Sequence, residues 1–379
     1  MRFVLSPLLY FRRNPGKTLP MAFVIVLAVA LVASVVSIVD SIDQTVYTLY
    51  GYNRYLTGLT PRNALTIDPQ VIAKVRRLPD LGLLSSTHSY QTLVKTIFGK
   101  MPFPIFGLDA EGRRTLMDRC HVRLAAGRLP AEGAPETVLS DDVAQNLGLK
   151  IGNIVFRPDS EDSYAPVPMR LVGLLHGPVW LGLTSKSFVD TYSPFTYTGY
   201  LAFAKSPRLA DQRRLDEEIA GAVKNGQARV WRYAGLVRET KSALANLYLI
   251  LDLVVGIIVF TISFLCGLLS NIYFTQRLAE IATLSAIGYS RSFLLWRTVG
   301  ETALLCVFGW GFGSVVTIGL LWLLRWVAMT PRGLLLDPLD TGAYTFTLPL
   351  PIAIVGFALV TIWLRLSTLD PVSIIERRG

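Results

Sequence analysis

The sequence predicts an α-helical membrane protein: four transmembrane helices, with a large extracytoplasmic α+β domain inserted between helices 1 and 2. Three observations predict it. Hydrophobic residues are 51% of the 379, and charged residues only 17%; this is apolar for a soluble chain of that length. Four apolar runs are each close to the ~18–20 residues that cross a bilayer: Leu19–Val39, Leu253–Leu269, Thr302–Leu324 and Thr347–Leu364. The long stretch between the first two runs mixes strand patterns with an amphipathic helix, as an α+β domain with its own core does.

The first run fixes the orientation. Arg2, Arg12, Arg13 and Lys17 precede it with no acid among them, which keeps the N-terminus in the cytoplasm. Arg277, Arg291 and Arg297 then fall inside, as do Arg365, Arg377 and Arg378 after the fourth run. Arg325 and Arg332 land outside, against the rule. Both termini are cytoplasmic in this scheme. Its segments are a cytoplasmic start at 1–18, helix 1 at 19–39, the outer domain at 40–246, helix 2 at 247–270 and a cytoplasmic helix at 271–300. Helix 3 at 301–324, an outer loop at 325–345, helix 4 at 346–365 and a cytoplasmic tail at 366–379 follow. Pro349 and Pro351 interrupt the start of the fourth run. Ala28-Val29-Ala30 matches a signal-peptide cleavage motif, but the apolar run continues past it to Val39, as a retained helix requires.

In the outer domain, "LGLLSSTHSYQTLVKTIFG", "VPMRLVGLL" and "YTGYLAFAK" read as strands. "RLADQRRLDEEIAGAVKN" reads as a helix with Leu209, Leu215, Ile219 and Val223 on its apolar face. "GPVWLGLTSKSF", Gly177 to Phe188, reads either as a partner or lipid contact or as a core strand and loop. Both junctions with the membrane carry heptad seams. Val35, Val39, Ile42, Val46 and Leu49 alternate spacings of four and three; Val237, Thr240, Leu244, Leu247 and Leu251 do the same. Unbroken by Gly or Pro, they predict a stalk built from Val39, Ile42, Val46, Leu49, Leu244, Leu247 and Leu251. The alternative is that each seam faces the domain core. Asp252 and Arg325, near the outer ends of helices 2 and 3, are placed to pair.

Several function classes are excluded. The formal net charge is +10, yet the cations are scattered and no basic stripe interleaves with aromatics, so no nucleic-acid partner is expected. Two of the three cysteines, Cys266 and Cys306, lie in apolar runs. Cys120 alone is exported and closes no intramolecular disulfide. His88, His121 and His176 lack metal-ligand spacing. Gly16-Lys17-Thr18 ends like a phosphate-binding loop, but Phe11 stands where its first glycine is required. No catalytic motif is found, so no catalytic residue, metal or resident cofactor is expected.

The stretch "TQRLAEIATLSAIGYSRSFLLWRTVGETALL", from Thr275, holds the clearest functional signal. Leu278, Ile281, Ala282, Leu284, Ser285 and Gly288 form an apolar, small-residue face that fits closely against protein. Arg277 and Glu280 are helix neighbours. Gly288 suits a left-handed C-cap, and Ser290 or Ser292 an N-cap for the next helix. Glu301 sits at the membrane entrance of helix 3, an expensive place for a carboxylate that marks a partner.

This stretch resembles the cytoplasmic signature of FtsX/MacB-type ABC transporter permeases, the mechanotransmission group. Arg277, Glu280, Leu284, Ala286, Ile287, Gly288 and Glu301 occupy its pattern. "LDPVSIIERRG" is similar to the family's C-terminal motif through Asp370, Pro371 and Ile375, and "RRNPGKTL" to its N-terminal basic segment. "LAAGRLPAEGAPETVLSDDVAQNLGLKIGNIV" resembles its outer-domain motif through Gly127-Arg128 and "VLS". The resemblance implies a permease of the bacterial cytoplasmic membrane that has no enzyme activity of its own. It implies two copies of a separate ABC ATPase holding ATP and Mg, and a second permease in a homodimer or heterodimer. A periplasmic adaptor and membrane lipids are further implied partners. Arg277, Glu280, Ile281, Leu284 and Gly288 would form the coupling helix on the ATPase. Family breadth implies export or extraction of a lipidic or amphiphilic substrate. The alternative is a non-transporting permease that activates an external partner such as a wall hydrolase.

Overall fold

The computed structural model describes residues 15–97, 99–193, 196–223, 227–276, 283–285 and 287–367. They fall into two compact units. One comprises Met1–Asp40, Asn246–Arg325 and Leu336–Gly379; the other comprises Ser41–Ala245 and Trp326–Leu335.

The first unit is helical. Four stretches are long and apolar enough to span a membrane: Thr18–Leu49, Ala245–Leu269, Ser292–Met329 and Thr341–Leu364. Helix α1, Pro15–Leu49, opens on a proline whose fixed φ suits a first turn. Leu19, Phe23, Leu27 and Leu31, each four residues apart, are exposed along one stripe as lipid contact requires. Its other side is buried. Ile25, Ala28 and Val29 cluster with Leu305 and Cys306 of α9 (Arg291–Leu324) and with Leu350 and Ile354 of α11 (Pro349–Ser367), which follows the short α10 (Thr341–Thr345). Two glycines allow this approach. A Cβ on Gly309 would lie 2.8 Å from Ile25, and one on Gly313 would lie 3.0 Å from Val29. Small residues one turn apart let membrane helices pack backbone to backbone. Pro349 and Pro351, which interrupt the fourth apolar run in the sequence, fall in the first turn of α11, where no intrahelical N–H bond is lost. Helix α8, Ala245–Gln276, is the least covered, with Leu253, Ile257, Phe260 and Phe264 all exposed.

The second unit is an α+β domain around a ten-stranded sheet. In chain order its strands are β1 Thr57–Thr60, β2 Leu81–Thr96, β3 Gly99–Leu108, β4 Arg123–Gly127, β5 Glu136–Ser140, β6 Ile154–Phe156, β7 Met169–His176, β8 Gly182–Ser185, β9 Gly199–Ala204 and β10 Arg229–Trp231. They lie side by side as β10-β1-β9-β2-β3-β8-β5-β7-β4, with β6 on β7. The β3–β8 and β5–β7 pairs are parallel and the others antiparallel. Strand β8 pairs β3 only from Phe106 to Leu108. Pro102 and Pro104 therefore sit where β3 has only β2 beside it, as prolines in strands do.

Helices α2 (Pro69–Arg76) and α6 (Leu209–Ala222) cover one end of the sheet with Val71, Val75, Leu215 and Ile219. Val223 joins them, but Leu209 is 40% exposed, against its predicted place on the apolar face; it is the first residue of α6. Helices α3 (Ala110–Arg119), α4 (Asp141–Leu147) and α5 (Lys186–Tyr192) pack elsewhere on the sheet. The "GPVWLGLTSKSF" segment is core. Trp180, Leu181, Leu183 and Phe188 are fully enclosed, which removes these side chains as a partner or lipid contact.

Candidate functional site

The turn before α9 is built by two caps. Gly288 has φ +102°. Its N–H donates to the Ser285 carbonyl, and the Tyr289 N–H donates to the Leu284 carbonyl, both at 3.1 Å. That pair of bonds ends a helix at a left-handed residue. Ser290 then caps α9, its Oγ accepting from the Phe293 N–H at 3.3 Å. Leu284 is half-buried against Leu294, Val299, Ala358 and Ile362 of its own chain. The outward apolar groups are Ile287, 71% exposed, and the stacked rings of Tyr289 and Phe293 at 5.2 Å. Arg277, Glu280, Ile281, Ala286, Asp370, Pro371 and Ile375 lie outside the described residues.

Glu301 is 1% exposed on α9. The Nε of Arg297, one turn earlier, is 3.3 Å from its Oε1. Buried Thr298 and Thr302 flank the pair and donate to carbonyls four residues back. A carboxylate at this depth needs such a cation, because an unpaired buried charge is costly. The expected pairing of Asp252 with Arg325 is not formed. The Arg325 guanidinium instead lies 5.3 Å from the ring centroid of Trp322, and among the described residues no ion pair joins it to Asp252.

In the α+β domain, α1 runs without a break to Leu49, whereas the second seam is interrupted. Helix α7, Tyr233–Ala243, is C-capped at Leu244, and α8 starts at Ala245. Ile42, Val46 and Leu49 are buried, and Leu49 belongs to a core cluster with Tyr90, Val94 and Phe103. Contact with α7 comes from the adjacent stripe. Lys241 donates to Asp43 at 2.8 Å, and the Tyr47 and Tyr233 rings lie 6.4 Å apart. Val39 is half-buried, as are Leu244, Leu247 and Leu251.

A cleft of about 450 Å³ opens beside this junction. Its floor is the sheet face carrying Ser89, Pro104 and Phe106, with Leu56, Leu59 and Leu201 beside them. Tyr50, Tyr52, Tyr197, Trp231 and Leu236 of α7 form its walls. Burial pushes the phenols of Tyr50, Tyr52 and Tyr197 up, so all three stay neutral. Trp231 is fixed by an indole N–H bond to Thr60 of 2.8 Å and by the Arg229 guanidinium 3.8 Å over its ring.

Across the same domain, Asn146 of α4 acts as a clasp. Its Oδ1 accepts from the Lys95 N–H at 2.8 Å. Its Nδ2 donates to the Lys95 carbonyl at 2.8 Å and to the Arg332 carbonyl at 2.9 Å. Gly333, φ +62°, follows in this loop, and a Cβ there would meet the Asp142 carbonyl oxygen at 2.5 Å. Several residues of the motif from Gly127 to Gly152 hold local structure. Gly127 turns at φ +76° with the Val172 carbonyl against it, Arg128 forms a bidentate pair with Glu136, and Gly148 caps α4.

His88 links Asp190, 2.5 Å from Nδ1, with Thr198 Oγ1, 2.7 Å from Nε2. The order is that of a catalytic triad, but neither described cavity is lined by these residues. They pin α5 to β2. Cys120 is buried, and burial pushes its thiol far above the reactive range.

Residues 253–371 match the family model for the FtsX-like permease C-terminal domain. Over that stretch the chain is similar to FtsX-like permeases. The permeases of this family are non-catalytic membrane subunits of ABC transporters that work with ABC ATPases. Three solved structures are similar to part of the chain. The periplasmic region of MacB from Actinobacillus actinomycetemcomitans is 10% identical, covering 49% of this chain and 92% of that one, with a TM-score of 0.31. The extracellular domain of the noncanonic ABC-type transporter YknZ from Gram-positive bacteria is 13% identical, covering 47% and 99%, with a TM-score of 0.30. A domain of a putative permease protein from Porphyromonas gingivalis is 11% identical, covering 46% and 85%, with a TM-score of 0.24. Among curated proteins none matches the chain.

Sequence reasoning missed three features of this chain. Ile287 and Tyr289 protrude because the cap at Gly288 reverses the chain there, and the glycine was the available signal. The cleft and the Asn146 clasp join segments far apart in sequence, and no local pattern marks them.

Proposed function

We propose that this chain is the permease subunit of an ABC transporter. It couples ATP hydrolysis by two copies of a separate ATPase to movement of an extracytoplasmic α+β domain, and it extracts or exports a lipidic or amphiphilic substrate. The family match over 253–371 carries the reading, since it takes in the capped turn at Gly288 and the helices on either side. In this reading the turn is cytoplasmic and docks on the ATPase. Arg277, Glu280, Ile281, Leu284 and Gly288 shape the docking element, and the exposed Ile287 and Tyr289 enter the partner surface. Val39, Ile42, Val46 and Leu49 carry the motion outward, with Leu244, Leu247 and Leu251 on the returning chain.

Because Leu284 packs within its own chain, Ile287→Asp is the cleaner probe. A carboxylate placed in a desolvated apolar contact weakens association by about tenfold or more. The permease is co-expressed with its ATPase and the complex is recovered through a tag on the permease. The ATPase should be lost from Ile287→Asp while the permease stays folded. Recovery at wild-type yield overturns the docking surface. Reconstitution of the complex in vesicles, with ATP-dependent extraction of lipid as readout, separates transport from signalling to an external partner.

A further inference from the structure

We infer that the cleft of the α+β domain is a binding site for a single-chain amphiphile with an anionic head, the apolar tail lying on the sheet and the head at the mouth. This deepens, and rests on, the reading of the chain as a permease for amphiphilic substrates.

The cleft has a gradient of polarity. Its buried residues Tyr52, Leu56, Leu59, Leu201 and Phe106 are apolar apart from one neutral phenol, with the polar Asn53 and Thr87 buried beside them. Its rim residues Arg62, Gln91 and Arg229 are exposed. Both charged residues of the lining are arginines, and no Asp or Glu lines it. Arg229 is held by Glu239 at 2.8 Å, outside the lining, so its charge is shared. Arg62 has no ion pair among the described residues, which leaves it to set the preference for an anion. A volume of about 450 Å³ lies within the usual range for small-ligand sites, and an apolar cavity with a few convergent polar groups is their usual make-up. A free phosphate would leave the apolar floor unused, and a neutral lipid would leave the arginines unused.

The test uses the full-length permease in nanodiscs, with empty nanodiscs as the blank. Equilibrium dialysis measures uptake of octyl phosphate, octyl glucoside and octyltrimethylammonium, which share a tail and differ in head charge. Octyl phosphate should bind saturably and about tenfold more tightly than octyl glucoside. Inorganic phosphate should not displace it. Arg62→Gln should bring octyl phosphate down to the level of octyl glucoside. Ser89→Trp, which places an indole on the cleft floor, should abolish saturable binding of all three probes. If Ser89→Trp does not fold, the exposed Arg62→Gln decides alone. Equal binding of the three heads, displacement by inorganic phosphate, or saturable binding unchanged in Arg62→Gln overturns the site. Recovery of the ATPase is measured on the same samples. If the probes fail while Ile287-dependent ATPase binding holds, the cleft proposal falls and the permease reading stands.

Discussion

Replacing Asn146 with alanine removes three hydrogen bonds at once, two to Lys95 and one to Arg332. The residue is only 2% exposed, so water does not readily replace its side chain. At roughly 1 kcal/mol net per bond, the change costs the α+β domain about 3 kcal/mol. About a third of that belongs to the Arg332 contact alone, which corresponds to a fivefold rise in the open population of the loop. Cleavage of a transiently open loop follows that population when reclosing is fast. Trypsin should therefore cut after Arg332 about five times faster in Asn146→Ala than in the wild type, and the Lys95 amide should lose protection against hydrogen exchange. Asn146→Asp should be worse than alanine, because its carboxylate would face two carbonyl oxygens. Cleavage and Lys95 exchange both unchanged in Asn146→Ala would refute the clasp.

Two further outcomes follow from packing and charge. Gly313→Ala should destabilise the helical unit by about 1–3 kcal/mol through overpacking against Val26 and Val29. Gly300→Ala, which meets nothing within 4 Å, should be neutral or mildly stabilising in the same detergent melting assay. Glu132 is pushed up by burial, but bonds from Ser185, Arg113 and Ser187 and the Arg113 charge prevail and hold its carboxyl below the ordinary 4.5. A depressed acid contributes stability that is present above 4.5 and lost as the pH falls through its folded value. Glu132→Gln should therefore flatten the acid side of the stability curve below about pH 4.5, as read by urea unfolding.

The helices and their caps were legible because they are local. Gly288 and Ser290 announced the turn by residue type and spacing, and apolar run length announced the spans. The heptad seam of α1 was legible as a buried stripe, but not the surface that buries it. Leu49 lies in the domain core, while Asp43 and Tyr47, one residue along, reach α7. An apolar stripe carries no label for its partner when two surfaces lie within reach. The Asp190–His88–Thr198 series joins residues up to 110 positions apart, and contacts at that separation leave no periodic trace.

Leu49 and Tyr50 are consecutive residues, the first fully enclosed in the domain core and the second on the wall of the cleft. A machine whose parts mesh with play wastes the start of every stroke in taking up slack. The end of α1 has no such slack, because an interior packed like a crystal does not let one side chain slide while its neighbours stay still. A shift of this helix end along its axis displaces the core and the cleft wall together, so travel well short of a helical turn changes the shape offered to a ligand. If the cleft takes the proposed amphiphile, the converse holds by linkage: binding changes the free energy of moving α1 as far as the ligand's affinity differs between the two positions.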